Sequence, residues 1–235
     1  MPEKTLIFSD THLIAGDNPT VKIFKKLCCE IAPKYDQVFI LGDLFNTWLG
    51  DDLSIGEYKD LIEDLKNLSI KTKIYILHGN RDFLIGKDFE KYLGVKIIFG
   101  PYLLETNSKQ YVLVHGDELC TDDIGYQRLK LVLQNPIIKF LFKKLPKSAR
   151  LNLSGQLRKK STEAQRYKLK EIMDVNPKAV KELMQKYPGA NLIHGHTHRL
   201  NTHREKSFTR YVLGDWHKTG NAISIINSVR RLEID

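Results

Sequence analysis

The sequence is poor in cysteine and has no long apolar run. Its three cysteines, Cys28, Cys29 and Cys120, are odd in number and form no C-x-x-C pair, which argues against a disulfide framework and a structural zinc site. No stretch approaches the roughly 18 apolar residues that span a bilayer, and the first residues lack the apolar core of a signal peptide. These features predict a reducing, cytoplasmic setting for the chain.

Acidic residues are almost absent between Lys139 and Lys170, where eleven Lys and Arg residues accompany the single acid Glu163. The whole chain carries a formal net charge of +9, so this segment accounts for the excess of positive charge. One interpretation is a solvated helix face, although such a face normally mixes the two signs. A concentrated positive field favours instead an anionic partner, such as nucleic acid, acidic lipid headgroups or a phosphorylated substrate.

The 235 residues suffice for one large α/β domain with a sizeable core. Short runs rich in Val, Ile, Tyr and Phe predict buried strands. These runs are Thr5–Phe8, Val38–Leu41, Ile74–Leu77, Val95–Phe99, Tyr111–Val114, Leu192–Ile193, Tyr211–Leu213 and Ala222–Ile226. Between the first three, apolar residues at helical spacing predict helices over Val21–Ala32 and Glu57–Leu68. This alternation predicts a layered α/β sandwich.

The pattern changes from about Leu119 to Pro188, a stretch of some 70 residues. Helical spacing there predicts four helices, over Tyr126–Leu133, Ile137–Leu145, Ala149–Leu169 and Pro177–Gln185. We therefore predict a core of residues 1–118 and 189–235, interrupted by a helical insertion of residues 119–188. This insertion carries the positive charge. Its apolar residues, among them Ile137 and Phe140, lie beside the lysine and arginine residues in the sequence.

Metal-ligating side chains gather in five short segments, each directly after a predicted strand. They are Asp10-Thr11-His12, Gly42-Asp43, Gly79-Asn80-Arg81-Asp82, His115-Gly116-Asp117 and His194-Gly195-His196-Thr197-His198. Ligand sites in α/β sheets form beyond the carboxyl ends of strands, so we expect the five segments to converge. Phosphate-ester hydrolysis is assisted by two cations roughly 3.5–4 Å apart, and we predict that Asp43 bridges them. Residues two apart in extended chain point the same way, which pairs Asp10 with His12 and His196 with His198.

In this order the motifs D-x-H, G-D, G-N, H-G-D and G-H-x-H resemble those of the calcineurin-like metallophosphoesterases, over residues 5–215. The resemblance implies a four-layer α/β/β/α sandwich with a helical lid insertion, and two divalent cations, usually Mn²⁺. It implies that Asp10, His12, Asp43 and His198 hold one ion, and that Asp43, Asn80, His115 and His196 hold the other. The catalytic residues would be Asp43, Asn80, Arg81 and His115.

Arg81 departs from the general superfamily pattern, in which a histidine in G-N-H-[DE] protonates the leaving group. Arginine does not act as a general acid near neutral pH, but its guanidinium holds phosphate oxygens bidentately. A phosphate leaving group, whose second pKa is about 6, departs without much protonation. Arg81 therefore favours cleavage of a pyrophosphate bond. The alternative is a structural ion pair between Arg81 and Asp82.

Longer strings, at residues 42–52, 78–86, 115–126, 172–176 and 193–199, resemble the UDP-2,3-diacylglucosamine pyrophosphatases of lipid A biosynthesis in Gram-negative bacteria. That resemblance implies hydrolysis to UMP and 2,3-diacylglucosamine 1-phosphate (lipid X), with a hydroxide activated by two metal ions attacking the α-phosphorus. It also implies a helical lid over the acyl chains. The implied substrate contacts are Asn80, Arg81, Asp123, Ser161, Gln165, Lys168 and His196. Gln165 stands where that family often has asparagine.

The partners expected on this basis are a lipid-linked sugar nucleotide and the anionic inner-membrane surface, which places the protein peripherally on the cytoplasmic face of that membrane. We expect no nucleic-acid partner and no obligate protein partner. Two alternatives are a soluble phosphoesterase that uses the basic segment as a nucleic-acid groove, and an inactive scaffold that binds proteins. A nucleic-acid groove predicts aromatic residues interleaved with the basic ones. An inactive scaffold predicts that some of the metal-ligating residues have been lost. The role of His217 is left open.

Overall fold

The computed structural model describes residues 2–166 and 174–235, apart from the side chains of residues 158, 160–162 and 164–166. One sheet contains six strands, which are β1 (Thr5–Phe8), β2 (Gln37–Ile40), β3 (Lys73–Leu77), β4 (Lys96–Ile98), β10 (Gly220–Ile225) and β11 (Val229–Ile234). Their order is β11-β10-β1-β2-β3-β4. Strands β1 to β4 are parallel, and β10 and β11 extend the sheet in antiparallel pairing.

The second sheet contains five strands, which are β5 (Tyr102–Thr106), β6 (Lys109–Leu113), β7 (Asn191–His194), β8 (Asn201–Arg204) and β9 (Thr209–Val212). Their order is β5-β6-β7-β9-β8, with β6, β7 and β9 parallel and the two outer strands antiparallel to their neighbours. The carboxyl ends of the parallel strands of each sheet therefore form one edge, at which the loops that follow them meet.

Eight α-helices connect or cover the sheets. They are α1 (Pro19–Lys26), α2 (Asp51–Glu57), α3 (Lys59–Ser69), α4 (Lys87–Leu93), α5 (Ile124–Leu133), α6 (Pro136–Lys144), α7 (Lys147–Arg166) and α8 (Pro177–Gln185), counted within the described residues. The start of α1 follows from local chemistry, because Asn18 Oδ1 accepts the backbone N–H of Val21 at 3.1 Å. Pro19, which lacks an N–H, occupies the first turn, where that group would have no partner.

Alternate side chains of β1 face opposite sides of the first sheet, and each side packs against another layer. Leu6 and Phe8 face the cluster that contains α1 and α3, whereas Ile7 faces the interior between the two sheets. On the far side, Val180 and Met184 of α8 pack against the outer face of the second sheet. The order of layers is thus helix, sheet, sheet, helix, and the predicted four-layer α/β/β/α sandwich is confirmed.

Helices α5 to α7 follow β6 in the sequence, and neither α5 nor α6 contributes a buried residue. The start of α7 is anchored by Arg150, a buried guanidinium that contacts both carboxylate oxygens of Asp52 at 2.9 Å and the carbonyl oxygen of Leu49 at 3.0 Å. The boundaries 1–118, 119–188 and 189–235 stay a prediction. A helix with the length and apolarity to span a bilayer is not found in the described ranges 2–166 and 174–235.

Three strands, β5, β8 and β11, lie outside the runs that the sequence predicts as strands, and each is at an edge of its sheet. An edge strand pairs on one side only and exposes part of its surface, so it needs no continuous apolar run. In β8, for example, Asn201–Arg204 contains no aliphatic residue. Apolar runs therefore find the central strands and overlook these edges.

Candidate active site

The five motif segments lie at the carboxyl ends of β1, β2, β3, β6 and β7. Asp10, Asp43 and Asn80 follow strands of the first sheet, and His115 and His196 follow strands of the second. The expected convergence is observed, and both sheets supply side chains to one site.

Several residues in the loops that follow the strands, which we call the ligand loops, have positive φ angles. Asp10, His12, Asp43, His196 and His198 have φ angles between 46° and 65°, a left-handed region that residues with a Cβ adopt only at a cost. The expectation that Asp10 and His12, and likewise His196 and His198, point together through extended chain is therefore wrong. Their side chains converge through left-handed turns, and strained backbone of this kind concentrates at functional sites.

A first ligand group consists of Asp10, His12 and His198, whose donor atoms all lie within 4.8 Å of one another. The Nε2 atoms of the two histidines are 3.1 Å apart, and His198 Nε2 is 3.4 Å from Asp10 Oδ1. The other carboxylate oxygen of Asp10 is fixed from outside the group. It accepts hydrogen bonds from Ser9 Oγ at 2.5 Å and from the backbone N–H of His196 at 2.9 Å.

A second ligand group consists of Asn80, His115 and His196. Asn80 Oδ1 lies 3.1 Å from His115 Nε2 and 3.0 Å from His196 Nδ1. His115 is oriented from behind, because its Nδ1–H donates to the carbonyl oxygen of Leu41 at 2.7 Å. That bond leaves Nε2 of His115 as the atom directed into the site.

Asp43 lies between the two ligand groups. Its Oδ2 is 3.8 Å from His12 Nδ1, and its Oδ1 is 3.9 Å from His115 Nε2. Burial raises the pKa of Asp43 to about 7, and the nearby acid Asp82 adds to the rise, against the opposing effect of His115. Additional positive charge beside Asp43 therefore favours its ionised form, and a bound cation would supply that charge.

The histidines differ in charge state. Burial lowers the pKa of both His12 and His196 to about 3, so both are neutral near pH 7, the form that ligates metals. Burial also opposes protonation of His115, but Asp43 and Asp117 outweigh it and raise the pKa of His115 to about 9. His115 thus lies in a negative environment, which attracts cations.

Two polar atoms of the first ligand group support the same conclusion. Asp10 Oδ1 and His12 Nδ1 are buried and have no hydrogen-bond partner among the described residues. Buried polar atoms nearly always have a hydrogen-bond partner. Two such atoms without a partner, next to other side chains that can ligate a metal, are therefore explained better by a metal-binding site than by an apolar site or a site of protonated groups. Carboxylate oxygens, imidazoles and an amide oxygen together form a set of ligands suited to a divalent cation.

Glycine is required where the loops touch. A Cβ atom on Gly79 would overlap Oδ1 and the backbone nitrogen of Asp43, and one on Gly195 would overlap Asp10 Oδ2 and Ser9 Oγ. The backbones of neighbouring ligand loops therefore approach more closely than any residue with a side chain permits.

Arg81 lies at the rim of the site with a side chain that is 35% exposed. Its Nη1 donates to Asn46 Oδ1 at 2.9 Å, and its Nε is 3.5 Å from Asp43 Oδ2. The neighbouring Asp82 points inward, where its buried carboxylate accepts the backbone N–H groups of Leu44 at 2.7 Å and Gly79 at 2.8 Å. An ion pair between Arg81 and Asp82 is not found among the contacts of the described residues.

The predicted substrate contacts are placed only in part. Asn80, Arg81 and His196 lie in the site as described above. Asp123 is at the start of α5, where its Oδ1 accepts the backbone N–H of Tyr126 at 3.0 Å. The side chains of Ser161 and Gln165, and all of Lys168, lie outside the described residues, so their roles stay predictions.

Asp117 has a role that its motif alone does not reveal. Its buried carboxylate accepts the hydroxyl of Tyr126 at 2.5 Å and lies 2.8 Å from Lys130 Nζ, so it ties α5 to the loop that carries His115. The ring of Tyr126 lies 6.0 Å from that of His196. The H-G-D motif identifies Asp117 as a polar residue close to the end of a strand. Its partners lie on α5, and the sequence does not give the orientation of that helix.

Residues 3–200 match the family model described as calcineurin-like phosphoesterase, and the chain belongs to that family. It is 40% identical over 222 residues to the UDP-2,3-diacylglucosamine hydrolase of Shewanella loihica, which covers 94% of this chain and 92% of the relative. The enzyme of the same name from Haemophilus influenzae is 39% identical over 213 residues, with 89% of both chains covered.

Solved structures share the fold at much lower identity. An archaeal phosphodiesterase matches with a TM-score of 0.50 and 14% identity over 98% of this chain and 99% of its own. Vacuolar protein sorting 29 from Cryptosporidium parvum matches with a TM-score of 0.50 and 14% identity, over 99% of this chain and 97% of its own. Family membership implies divalent-metal binding. Two sets of residues, Asp10 with His12 and His198, and Asp10 with Asp43 and His115, bring their donor atoms close enough together to hold a metal ion.

Proposed function

We propose that this protein hydrolyses the pyrophosphate bond of UDP-2,3-diacylglucosamine, releasing UMP and 2,3-diacylglucosamine 1-phosphate. The observation that carries the proposal is the position of Arg81, whose guanidinium lies beside the carboxylate shared by the two ligand groups. Relatives that match 94% of this chain at 38–40% identity bear the name of that hydrolase. The reaction belongs to lipid A synthesis.

We propose that Asp10, His12, Asp43 and His198 hold one Mn²⁺, and that Asp43, Asn80, His115 and His196 hold the other. Mixed nitrogen and oxygen ligation is compatible with manganese, although geometry and availability decide among divalent metals. Two bound cations supply positive charge for the phosphoryl oxygens and make a water molecule more acidic. The protein contributes the fixed positions of these ligands, which the left-handed loops and the bond from His115 to Leu41 maintain.

Arg81 holds the phosphate that is cleaved. Asn46 fixes Nη1 at 2.9 Å, and Nε lies 3.5 Å from Asp43, so the N–H groups of Nη2 are the ones proposed to donate to phosphoryl oxygens. Because arginine keeps its proton, the leaving group must depart as a weakly basic oxygen. A sugar phosphate meets that requirement and an alkoxide does not. Asn80, His196, Asp123, Ser161, Gln165 and Lys168 complete the proposed substrate contacts.

Helices α5 and α6 provide the surface for the lipid part of the substrate and for the anionic face of the inner membrane. Leu131, Val132 and Ile137 are 75%, 56% and 67% exposed, and Lys143 and Lys144 follow in the last turn of α6. Exposed apolar side chains next to cations are the combination that binds anionic lipid surfaces. The proposed location is therefore peripheral, on the cytoplasmic side.

We expect the double variant Leu131→Glu with Val132→Glu to bind anionic phospholipid vesicles at least about tenfold more weakly, because burying one such side chain is worth roughly 1.5–3 kcal/mol. Vesicle sedimentation measures the change. Ile70→Glu is the matched control, since Ile70 is 79% exposed at the end of α3 and far from the insertion in sequence. Equal loss in both proteins, or no loss in either, would contradict a membrane role for α5.

The reaction itself is tested by incubating the protein and Mn²⁺ with UDP-2,3-diacylglucosamine in detergent and ¹⁸O-enriched water. Attack on the α-phosphorus places the heavy oxygen in UMP, which mass spectrometry detects. A parallel sample with a chelator is expected to give no product. Label in the sugar phosphate would overturn the proposed site of attack. Absence of UMP together with turnover of simple phosphodiesters would leave the family and discard the substrate.

A further inference from the structure

Asp215 lies in the loop between β9 and β10, directly behind the histidine that completes the first ligand group. His198 directs Nε2 towards Asp10 and His12, at 3.4 Å and 3.1 Å. Its other ring nitrogen, Nδ1, faces away from the group and lies 3.4 Å from Asp215 Oδ2. The imidazole is therefore held between the ligand group on one side and a carboxylate on the other.

The loop that carries Asp215 is fixed on both sides. The backbone N–H of Trp216 donates to the carbonyl oxygen of Asp10 at 3.3 Å, and the buried Trp216 ring packs 5.6 Å from that of Phe8. On the other side, Asn221 accepts the N–H of Gly214 at 2.9 Å and donates to the carbonyl oxygens of Gly214 and Asp215 at 2.9 Å and 3.3 Å. The carboxylate thus stands on a backbone pinned to the same Asp10 that contacts His198.

His217 approaches this carboxylate from the solvent. Its side chain is 80% exposed, and its Nε2 lies 2.7 Å from the same oxygen, Asp215 Oδ2, that faces His198. An exposed ion pair contributes little to stability, so His217 covers the carboxylate without fixing the fold. The role of His217, left open by the sequence, is that of a surface neighbour of Asp215.

We propose that Asp215 is a positioning residue for His198, which it holds with the proton on Nδ1 and the lone pair of Nε2 directed into the first ligand group. A carboxylate behind a metal-binding histidine fixes the ring orientation and tautomer and strengthens the ring as a ligand. His115 is also oriented from behind in the second ligand group, by a 2.7 Å hydrogen bond from Nδ1 to the neutral carbonyl of Leu41, whereas Asp215 lies 3.4 Å from His198 Nδ1. The inference rests on the divalent-metal site of the proposed function.

The test compares Mn²⁺ binding to the full chain and to three variants, by titration with electron paramagnetic resonance detection of free Mn²⁺. We expect Asp215→Ala to weaken one of the two sites about 10–100-fold, the range found when such a partner is removed, and to leave the other site unchanged. Asp215→Asn, which keeps an oxygen acceptor but no charge, is expected to lie between Asp215→Ala and the unmodified protein. His217→Ala is the control and is expected to leave both affinities within about threefold.

A second readout follows the imidazole itself. In protein labelled with ¹⁵N-histidine and loaded with Zn²⁺, the Nδ1–H signal of His198 is expected in the unmodified chain and in Asp215→Asn, and is expected to be lost in Asp215→Ala. Unchanged affinities and an unchanged signal in both Asp215 variants overturn the inference. So does His217→Ala if it weakens a site as much as Asp215→Ala. If Asp215→Ala does not fold, the Mn²⁺ affinities of Asp215→Asn decide, because the Nδ1–H signal is expected to persist in that variant: one weakened site supports the inference, and unchanged affinities overturn it.

Failure of the proposed function is distinguishable. If the unmodified chain binds no Mn²⁺, both proposals fall. If it binds two ions but neither Asp215 variant differs from it, the metal centre stands and only the role of Asp215 is lost. The titration of the unmodified chain therefore comes first.

Discussion

The Asp43→Asn variant is expected to lose about 10³-fold or more in kcat, because the amide removes the negative charge that lies between the two ligand groups. Metal ions contribute several kcal/mol of charge stabilisation to a phosphoryl transition state, and about 4 kcal/mol corresponds to 10³-fold. The measurement is UMP release in Mn²⁺, with bound metal quantified on the same sample. Asp60→Asn, an exposed aspartate on α3, is the control and is expected to retain full activity.

The same variant is expected to be at least as stable as the unmodified protein when both are metal-free. The folded-state pKa of Asp43 is raised, chiefly by burial, to about 7 from an ordinary 3.8. A raised carboxyl pKa means that the folded state gains protons relative to the unfolded state, so ionised Asp43 costs stability increasingly as pH rises through this range and fully above it. Asparagine carries no such charge. A lower melting temperature for metal-free Asp43→Asn at pH 8 would contradict this account.

Asp82→Ala is expected to lower the free energy of unfolding by about 4 kcal/mol. Asp82 is fully buried and accepts the backbone N–H groups of Leu44 and Gly79 at 2.7 and 2.8 Å, with longer contacts to those of Asp43 and Phe45. Hydrogen bonds to charged groups are worth roughly 1.5–3 kcal/mol each, and the alanine leaves these donors buried without an acceptor. A loss of this size is a large fraction of the roughly 5–15 kcal/mol that stabilises a domain.

Chemical denaturation of metal-free protein measures the effect of Asp82→Ala. Asp88→Ala is the matched control, because Asp88 is exposed in the first turn of α4 and is expected to cost less than about 1 kcal/mol. Asp82→Asn retains one oxygen and is expected to fall between the two. A change below about 1 kcal/mol in Asp82→Ala would show that the loops after β2 and β3 hold their positions without this carboxylate.

The sequence predicted that the five motif segments meet at one site, because each one follows a buried strand whose residues are mostly apolar. Asp43 after Val38–Leu41 and His115 after Tyr111–Val114 are examples, since strand ends of parallel sheets meet at one edge. Convergence of Asp10, Asn80 and His198 followed from the same rule. The left-handed conformation of the loops did not, because φ at a residue with a Cβ is set by the contacts of the folded chain.

The supporting residues were not predictable for a different reason. Asp82 and Arg81 are adjacent in sequence, yet one points into the core and the other to the rim. Leu44, a partner of Asp82, and Asn46, the partner of Arg81, each lie more than 30 residues away. Asp215 contacts His198 across a loop whose path depends on Trp216 and Asn221. A local pattern identifies a polar residue near a site but does not identify the group that it supports.

Each ligand group takes residues from both sheets, so the distance between the sheets affects the geometry of the site. His115 donates across the sandwich to Leu41, and the N–H of His196 reaches Asp10 in the same direction. Interior side chains such as Phe39, which lies 5.7 Å from the ring of Tyr102 on the opposite sheet, therefore act as spacers for a centre that they never touch. A change in core volume far from the catalytic edge is therefore expected to shift the side chains of one sheet relative to those of the other at the ligand groups, because a close-packed interior transmits such strain.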